Sequence, residues 1–350
     1  MTRFRPIRAI LASEFWAGSS ARSLVPGLRA NGWLVAEIDD RNFLPTPMSL
    51  SSRISARLRG KGAIRRFQEE ILRQCMQLDA DVFLTVKGTL ISSVLLQNLR
   101  RRGITTVNYY PDYHFNDIAI GRMADYDLVA TTKSFQVEPL AALIGRERVA
   151  MIHHGFSDEL HRVIPFAELE AKVDLLYVGN ANPTKAALMR TLAERLPDIN
   201  LRVVGNRWES YARGHRLQHS ICEEAPTGDY YAAELSRAKI ALAFHMGPDE
   251  RTGLADLVST RSFEIPACGA FMLHVDNDEV RSLYDVPSEI DTFTNIEDLV
   301  AKVHYWLAHP EERAAVAARG HARAVPAYSY TERGRELAAL IERKLGRRSP

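Results

Sequence analysis

The chain has 350 residues, 46% hydrophobic and 25% charged, with 45 Lys+Arg against 43 Asp+Glu and a formal net charge of +2. That length exceeds one ordinary domain and suits two of about 150–180 residues, each with its own core. The charge balance argues against a nucleic-acid partner, so any basic site must be local. The widely spaced Cys75, Cys222 and Cys268 suggest neither a zinc site nor a disulfide framework and fit a reducing cytoplasm.

In chain order, the opening residues carry too short an apolar run before Glu14 for a signal h-region, and no apolar run of about 18 residues occurs, so neither export nor a membrane span is expected. "IRAILA" (7–12) reads as a strand, "SARSLVPGLRANG" as a helix with a glycine stop, and "WLVAEID" as a second strand. Residues 52–78 carry Arg53, Arg57, Arg59, Lys61, Arg65 and Arg66 with no acid before Glu69. Ile64, Phe67, Ile71, Leu72, Cys75 and Leu78 recur at helical spacing, so the second half predicts an amphipathic helix and the first half a solvated basic loop. That basic stretch, 53–66, is a candidate for an anionic membrane surface or an acidic acceptor. "ADVFLTVKG" (80–88), "ITTVNYY" (104–110), "YDLVATT" (126–132) and "VAMIHHG" (149–155) are further strands. Strand–helix alternation of this kind predicts a parallel sheet covered on both faces.

A polar stretch without a strand follows, and the alternation restarts at "VDLLYVGN" (173–180), with a helix over 183–196 and strands at 199–206 and 239–245. The predicted organisation is an N-terminal domain over 1–155, a linker over 156–172, a C-terminal domain over 173–330, and a final helix over 331–350 packing back toward the N-terminal domain. Two tandem α/β domains predict a cleft, with ligands at the C-terminal ends of the strands.

Candidate residues follow from those strand ends. After Gly179, Asn182-Pro183 reads as an N-cap and a first helical position, which leaves Lys185 in the first turn. A cation is disfavoured there unless an anion binds at the helix terminus; the alternative is a solvated lysine. In "STRSFEIPACGAFMLHV", Ser259 or Thr260 can cap a short helix carrying Arg261 and Glu264, which Gly269 ends. A carboxylate suits the vicinal diol of a ribose, and Arg261 can pair with it or with a phosphate. Asp256, eight positions before Glu264, follows the charged loop 245–253, and Arg207 follows "VVGN". Asp112 and His114, after the strand 104–110, are candidate substrate-facing residues in the first domain. "DAD" (79–81) and "DND" (276–278) fit an Asp-x-Asp metal pattern but fall at turn boundaries, where such residues are expected anyway. No GxGxxG, P-loop or HExxH is present.

The segment "STRSFEIPACGAFMLHVDNDEVRSLYD" resembles the donor-binding region of the GT-B glycosyltransferases of the group-1 type, in the branch that includes spore-maturation-like proteins. "DLVAKVHYWLAHPEERAAVAARGHARAVPAYSYTERGREL" (298–337), "HHGFSDELH" and "YDLVATT" are similar to other passages of that group. The resemblance covers about 149–340 and is thin over the first hundred residues. It implies two Rossmann-like domains facing a cleft and a hexosyl-type sugar transfer from a nucleotide diphosphate sugar, with retention favoured and no metal or other cofactor. The acceptor would be a glycan or a lipid-linked molecule on the cytoplasmic side, at the inner face of a membrane if the basic stretch docks there. Residue by residue, Glu264 matches the second glutamate of the group's Glu-x7-Glu motif, which holds the donor ribose. Asp256 falls on the first glutamate, and Lys185 on the basic residue at the diphosphate. Arg207 or Arg261 would supply the group's arginine. Two other functions fit the same pattern: an epimerase-like GT-B enzyme without an acceptor, and a non-catalytic sugar-nucleotide or polysaccharide-binding protein.

Overall fold

A computed structural model describes residues 5–44, 50–113, 117–165, 173–225, 228–245, 253 and 255–346, leaving aside the side chains of 50–59 and 117–119. The chain divides into two compact units, Met1–His153 with Tyr330–Pro350, and His154–Ser329.

The first unit is built on β1 (Arg8–Ser13), β2 (Leu34–Asp39), β3 (Val82–Val86), β4 (Thr105–Tyr110), β5 (Leu128–Thr131) and β6 (Val149–Met151), with helices α1 (Ser20–Ala30), α2 (Leu50–Leu78), α3 (Ser93–Arg100), α4 (Asp117–Met123) and α5 (Ser134–Ile144). The sheet order is β2-β1-β3-β4-β5-β6, and every pairing is parallel. Alternate residues of β1 serve two cores: Ile10 and Ala12 pack on one face with Phe67, Ile71 and Cys75 of α2, Ala9 and Leu11 on the other with Leu24, Val25 and Leu28 of α1.

The basic segment expected as a loop is helical, because α2 runs unbroken from Leu50 to Leu78. Its buried seam, Ala63, Phe67, Ile71 and Cys75, repeats every four residues and leaves Arg65 and Arg66 exposed. Asp79 and Asp81 are engaged as ion-pair partners of Arg5 and Arg8.

The second unit carries β7 (Val173–Val178), α6 (Pro183–Arg195), β8 (Leu201–Val204), α7 (Trp208–Ala212), β9 (Ile221–Cys222), α8 (Asp229–Ser236), β10 (Ala238–Ala243), α9 (Arg261–Ala267), β11 (Met272–Val275), α10 (Asp278–Leu283), β12 (Asp291–Phe293), α11 (Ile296–Ala308) and α12 (Pro310–Ala324). Its sheet runs β12-β11-β10-β7-β8-β9, again all parallel. Residues 154–155, expected in the N-terminal domain, and 156–165, expected as the start of a linker, belong to this unit, and Phe156 bridges to Ser329 at its far end. Within "DND", Asp276 pairs with Arg281 and Asn277 caps α10 through the Val280 amide.

The last helix, α13 (Tyr330–Lys344), belongs to the first unit and packs against α1. Two glycines allow it. A Cβ on Gly27 would lie 1.9 Å from the Thr331 carbonyl oxygen, and one on Gly334 would lie 2.4 Å from that of Leu24. Around this crossing Leu337, Ala338 and Ile341 join Leu24 and Leu28 in the core, each large side chain contributing about 1.5–3 kcal/mol. The buried Trp33 indole donates to Glu342 at 2.8 Å and ties the end of α13 to the turn before β2.

Candidate functional site

Strand β7 is buried on both faces from Leu175 to Val178 and leads into Gly179, with φ 151°. The chain then turns into α6, where the Asn182 side chain accepts from the Lys185 amide at 2.8 Å and Pro183 occupies the first turn. That turn holds no acid, so its N–H groups and dipole present uncompensated positive charge. Lys185 is not solvated: it is 7% exposed, and among the described residues its ammonium reaches the Asn180 carbonyl alone, at 3.4 Å. Burial, then Arg261, brings its pKa from 10.5 down to about 8, with Asp256 pulling upward.

Arg261 opens α9. Its guanidinium donates to the carbonyls of Phe244 (3.3 Å) and Val178 (3.5 Å) and lies 5.5 Å from the centre of the Tyr177 ring. Burial opposes its charge, but Tyr177, Tyr231, Glu264 and Asp256 outweigh that and keep it protonated. Among the described residues, no carboxylate forms an ion pair with Lys185 or Arg261. The Arg261 Nε and the Tyr177 hydroxyl, both buried, have no hydrogen-bond partner among the described residues.

These groups converge on the space above Gly179. A Cβ there would sit 2.9 Å from Arg261 Nη1 and 3.1 Å from the Tyr177 hydroxyl, so the glycine leaves open a cradle that those donors face. Tyr177 is itself fixed, stacked on Phe244 with centroids 4.3 Å apart and edge-on to Trp208 at 5.8 Å. The Trp208 indole in turn donates to the Gly179 carbonyl at 2.8 Å. Buried cations, orphaned donors and an open helix terminus form a site built for an anion such as a phosphate.

Glu264, one turn into α9, accepts a 2.6 Å hydrogen bond from the Tyr231 hydroxyl at Oε2. Its Oε1 lies 3.8 Å from His161 Nε2. Because His161 Nδ1 accepts from the Ser157 amide at 2.8 Å, the neutral ring carries its proton on Nε2, toward Glu264. Burial lowers the His161 pKa despite Glu264 and Asp158. The expected Arg261–Glu264 pair does not form, and the carboxylate is oriented by Tyr231 and His161 instead.

The start of α9 differs from expectation. Neither Ser259 nor Thr260 caps the helix through its side chain; Thr260 has helical backbone angles, and the buried Ser259 hydroxyl has no partner. The Ser262 hydroxyl instead accepts from the Ser259 amide at 3.1 Å, which fixes the turn before α9 and leaves the helix without a side-chain cap. That hydroxyl meets His274 Nε2 at 2.9 Å, while His274 Nδ1 donates to the Val275 carbonyl at 2.6 Å. Burial holds His274 neutral, with its pKa lowered to about 4.

The remaining candidates separate. Asp256 is buried and its charge acts on both Lys185 and Arg261. Arg207 is exposed in a left-handed conformation, and its amide, with those of Trp208 and Glu209, is held by the Glu223 carboxylate. Of the two arginines weighed from the sequence, Arg261 is the one that acts on Lys185. Asp112 lies in the first unit, 3.4 Å from the Lys87 ammonium. His114 lies outside the described residues. Tyr177, Tyr231 and His161 were not expected: buried aromatics read as core, and His161 sits in a polar stretch.

Residues 184–339 match the family model described as glycosyl transferase-like. The solved structures similar to this chain include sucrose-phosphate synthase of Thermosynechococcus elongatus, at TM-score 0.69 and 13% identity, covering 97% of this chain and 99% of that one. They also include Anabaena HepE in complex with UDP and glucose, at TM-score 0.66 and 10% identity, covering 96% and 100%. The chain has the GT-B fold, with a glycosyl transferase-like region across its second unit. The spore protein CgeB of Bacillus subtilis (strain 168) is 26% identical, over 48% of this chain and 53% of that protein, so the chain spans about half the length of this curated relative. The cradle, Lys185, Arg261 and Glu264 all lie in the second unit of this GT-B chain, at or next to the matched region. Among the described residues, no helix is long and apolar enough to cross a membrane.

Proposed function

We propose that this GT-B protein is a glycosyltransferase that moves a sugar from a nucleotide diphosphate sugar to an acceptor. The observation that carries the reading is the pair of buried cations, Lys185 and Arg261, which form no ion pair among the described residues, with Arg261 facing the cradle above Gly179 and Lys185 in the first turn of the helix that follows it. The glycosyl transferase-like family match supports it, as does the likeness to a protein solved with UDP and glucose.

In this reading the diphosphate lies on Lys185, Arg261 and the α6 terminus. The bond between the sugar's anomeric carbon and the phosphate oxygen breaks, and the leaving diphosphate keeps the electron pair. The acceptor hydroxyl bonds to the anomeric carbon, and its proton passes to the phosphate oxygen that leaves. Fixed positive charge placed where negative charge grows is the electrostatic form of catalysis. Two cations and a helix terminus meet the need that a divalent metal would otherwise serve. Glu264, oriented by Tyr231, accepts the ribose hydroxyls, with Ser259 and Thr260 beside it and Asp256 toward the sugar. The first unit holds the acceptor, with Asp112 and His114 as its candidate residues. Transfer of a hexose with retention, a glycan or lipid-linked acceptor, and a cytoplasmic site complete the proposal.

Incubation with a panel of nucleotide sugars is the direct test: release of a nucleoside diphosphate that depends on a glycan or lipid-linked acceptor is expected. Calorimetry of Glu264→Ala tests the ribose clamp. An affinity for nucleoside diphosphate within about threefold of the parent, below roughly 0.7 kcal/mol, would remove Glu264 from the site.

A further inference from the structure

A cavity of about 160 Å³ opens in the second unit at the N-terminal ends of β10 and β11. Its wall takes Arg237 and Lys239 from the junction of α8 and β10, Gly269 from the turn before β11, and Arg313 from α12. Among the described residues these three cations are the charged groups of the wall. The donor cradle lies past the other end of β10, where the Phe244 carbonyl accepts from Arg261. A strand of six residues rises about 20 Å, so one small ion cannot serve both places.

The cations hold donors in reserve. Arg313 is half-buried, donates to the Trp306 carbonyl and makes no ion pair among the described residues. Burial lowers its pKa, and the charge of Asp174 restores only part of the loss. The Arg237 Nε is buried with no hydrogen-bond partner among the described residues, while its Nη2 donates to Glu234 at 2.8 and 3.0 Å. Lys239 spends one N–H on Asp174, at 2.5 Å.

The negative groups nearby are engaged. Glu234 is shared between Arg202 and Arg237, and Asp174 accepts from Lys239 and the Asn200 amide. Arg202, Arg237, Lys239 and Arg313 therefore outnumber the two carboxylates Glu234 and Asp174. Glu311 and Glu312 open α12, but they lie about 100° and 200° round the helix from Pro310, off the face that presents Arg313 to the cavity. Glu312 also accepts from the Tyr305 hydroxyl. Helices α8 and α9 end here, and the carbonyls of Arg237, Pro266 and Cys268 accept from Val173, Gly269 and Ser236. What remains is a guanidinium fork, a buried Nε–H and an ammonium in one recess. A tetrahedral oxyanion complements them, since a guanidinium takes its oxygens in pairs and an ammonium meets it as a point charge.

We propose that this cavity binds a phosphate group, as inorganic phosphate or as the phosphate of a small monoester, at a site separate from the donor cradle. The proposal does not rest on the transferase reading.

Titration calorimetry of the full-length protein carrying Lys185→Met, which disables the cradle, reads this site. Inorganic phosphate should bind saturably, one per chain. Adding Arg313→Gln should weaken it at least tenfold, and Arg313→Lys, which keeps the charge and loses the fork, at least threefold. Glucose 6-phosphate should compete with inorganic phosphate; a tighter affinity assigns the cavity to a monoester, an equal or weaker one to phosphate itself. Circular dichroism and the melting temperature without phosphate verify that the variants are folded. Phosphate binding is read without any nucleotide, so a failure of nucleoside diphosphate to bind the parent leaves this result standing, and either reading can fail alone. No saturable binding of either compound, binding that survives Arg313→Gln, or equal displacement by chloride at the same concentration would overturn the proposal.

Discussion

Replacing Lys185 with methionine separates the cost of burying a cation from its use. In the fold the ammonium titrates at about 8, against 10.5 for an ordinary lysine, with burial the first cause. At ~1.36 kcal/mol for each pH unit, that difference means the charged form costs the second unit about 3 kcal/mol near neutrality. Below pH 8 the folded and unfolded chains both hold the proton and the full cost is present. Between pH 8 and 10.5 the folded chain sheds it first, and stability rises with pH. Methionine keeps the linear, polarisable stem and removes the charge. The melting temperature of the unligated second unit at pH 7 should therefore rise, by roughly 2–4 °C per kcal/mol recovered. The same change should weaken nucleoside diphosphate binding at least about tenfold, or ~1.4 kcal/mol. Scanning calorimetry reads the first quantity and titration calorimetry the second. A variant that melts lower than the parent, with affinity held within about threefold, would show that Lys185 is a packing residue and not an anion ligand.

Three further outcomes are expected. In the parent, nucleoside diphosphate affinity should be full below pH 8 and fall toward pH 9 by up to about tenfold as Lys185 loses its proton, and Lys185→Met should abolish that dependence. Gly179→Ala places a Cβ in the cradle at a positive φ, so it should abolish nucleotide binding in calorimetry and cost about 1–3 kcal/mol of stability; retained binding would mean that the anion sits elsewhere. For the basic segment 53–66 of α2, co-sedimentation with anionic vesicles at low salt should occur and weaken with salt. It should be lost when Arg57, Arg59, Arg65 and Arg66 are changed to Gln, and binding that survives those changes would retire the membrane role.

Much of the architecture is legible in the sequence because parallel strands buried on both faces appear as continuous apolar runs, as in β1, β7 and β10. Two strands escaped. β9 is two residues long, and β12 contains the buried Asp291, whose charge is met by Lys302 and the Trp306 indole and so breaks the apolar signal. The first half of α2 escaped for the opposite reason: its arginines carry no apolar period, and continuity with the seam below makes it helical. In the site, Lys185 and Glu264 stand out because a charge at a strand end conflicts with burial. Tyr177 and Tyr231 do not, since an aromatic residue in an apolar context reads as core whether or not its hydroxyl has another task. Ser259 and Thr260 both have N-cap chemistry, and only the backbone angles of Thr260, already helical, show that α9 starts without a side-chain cap.

The crossing of α1 and α13 at Gly27 and Gly334 has a consequence for biosynthesis. The first unit takes its opening strand from one end of the chain and its closing helix from the other, with the whole second unit inserted between them. On the ribosome the second unit can complete its sheet as soon as Ser329 has emerged, while the first still waits for α13. Until then the apolar stripe of α1 that receives Leu337 and Ile341 stands open, and a chaperone or a neighbouring nascent chain meets it first. A chain halted between Ser329 and the end of α13 would therefore carry a second unit with its sheet complete and a first unit whose apolar seam is exposed to quality control.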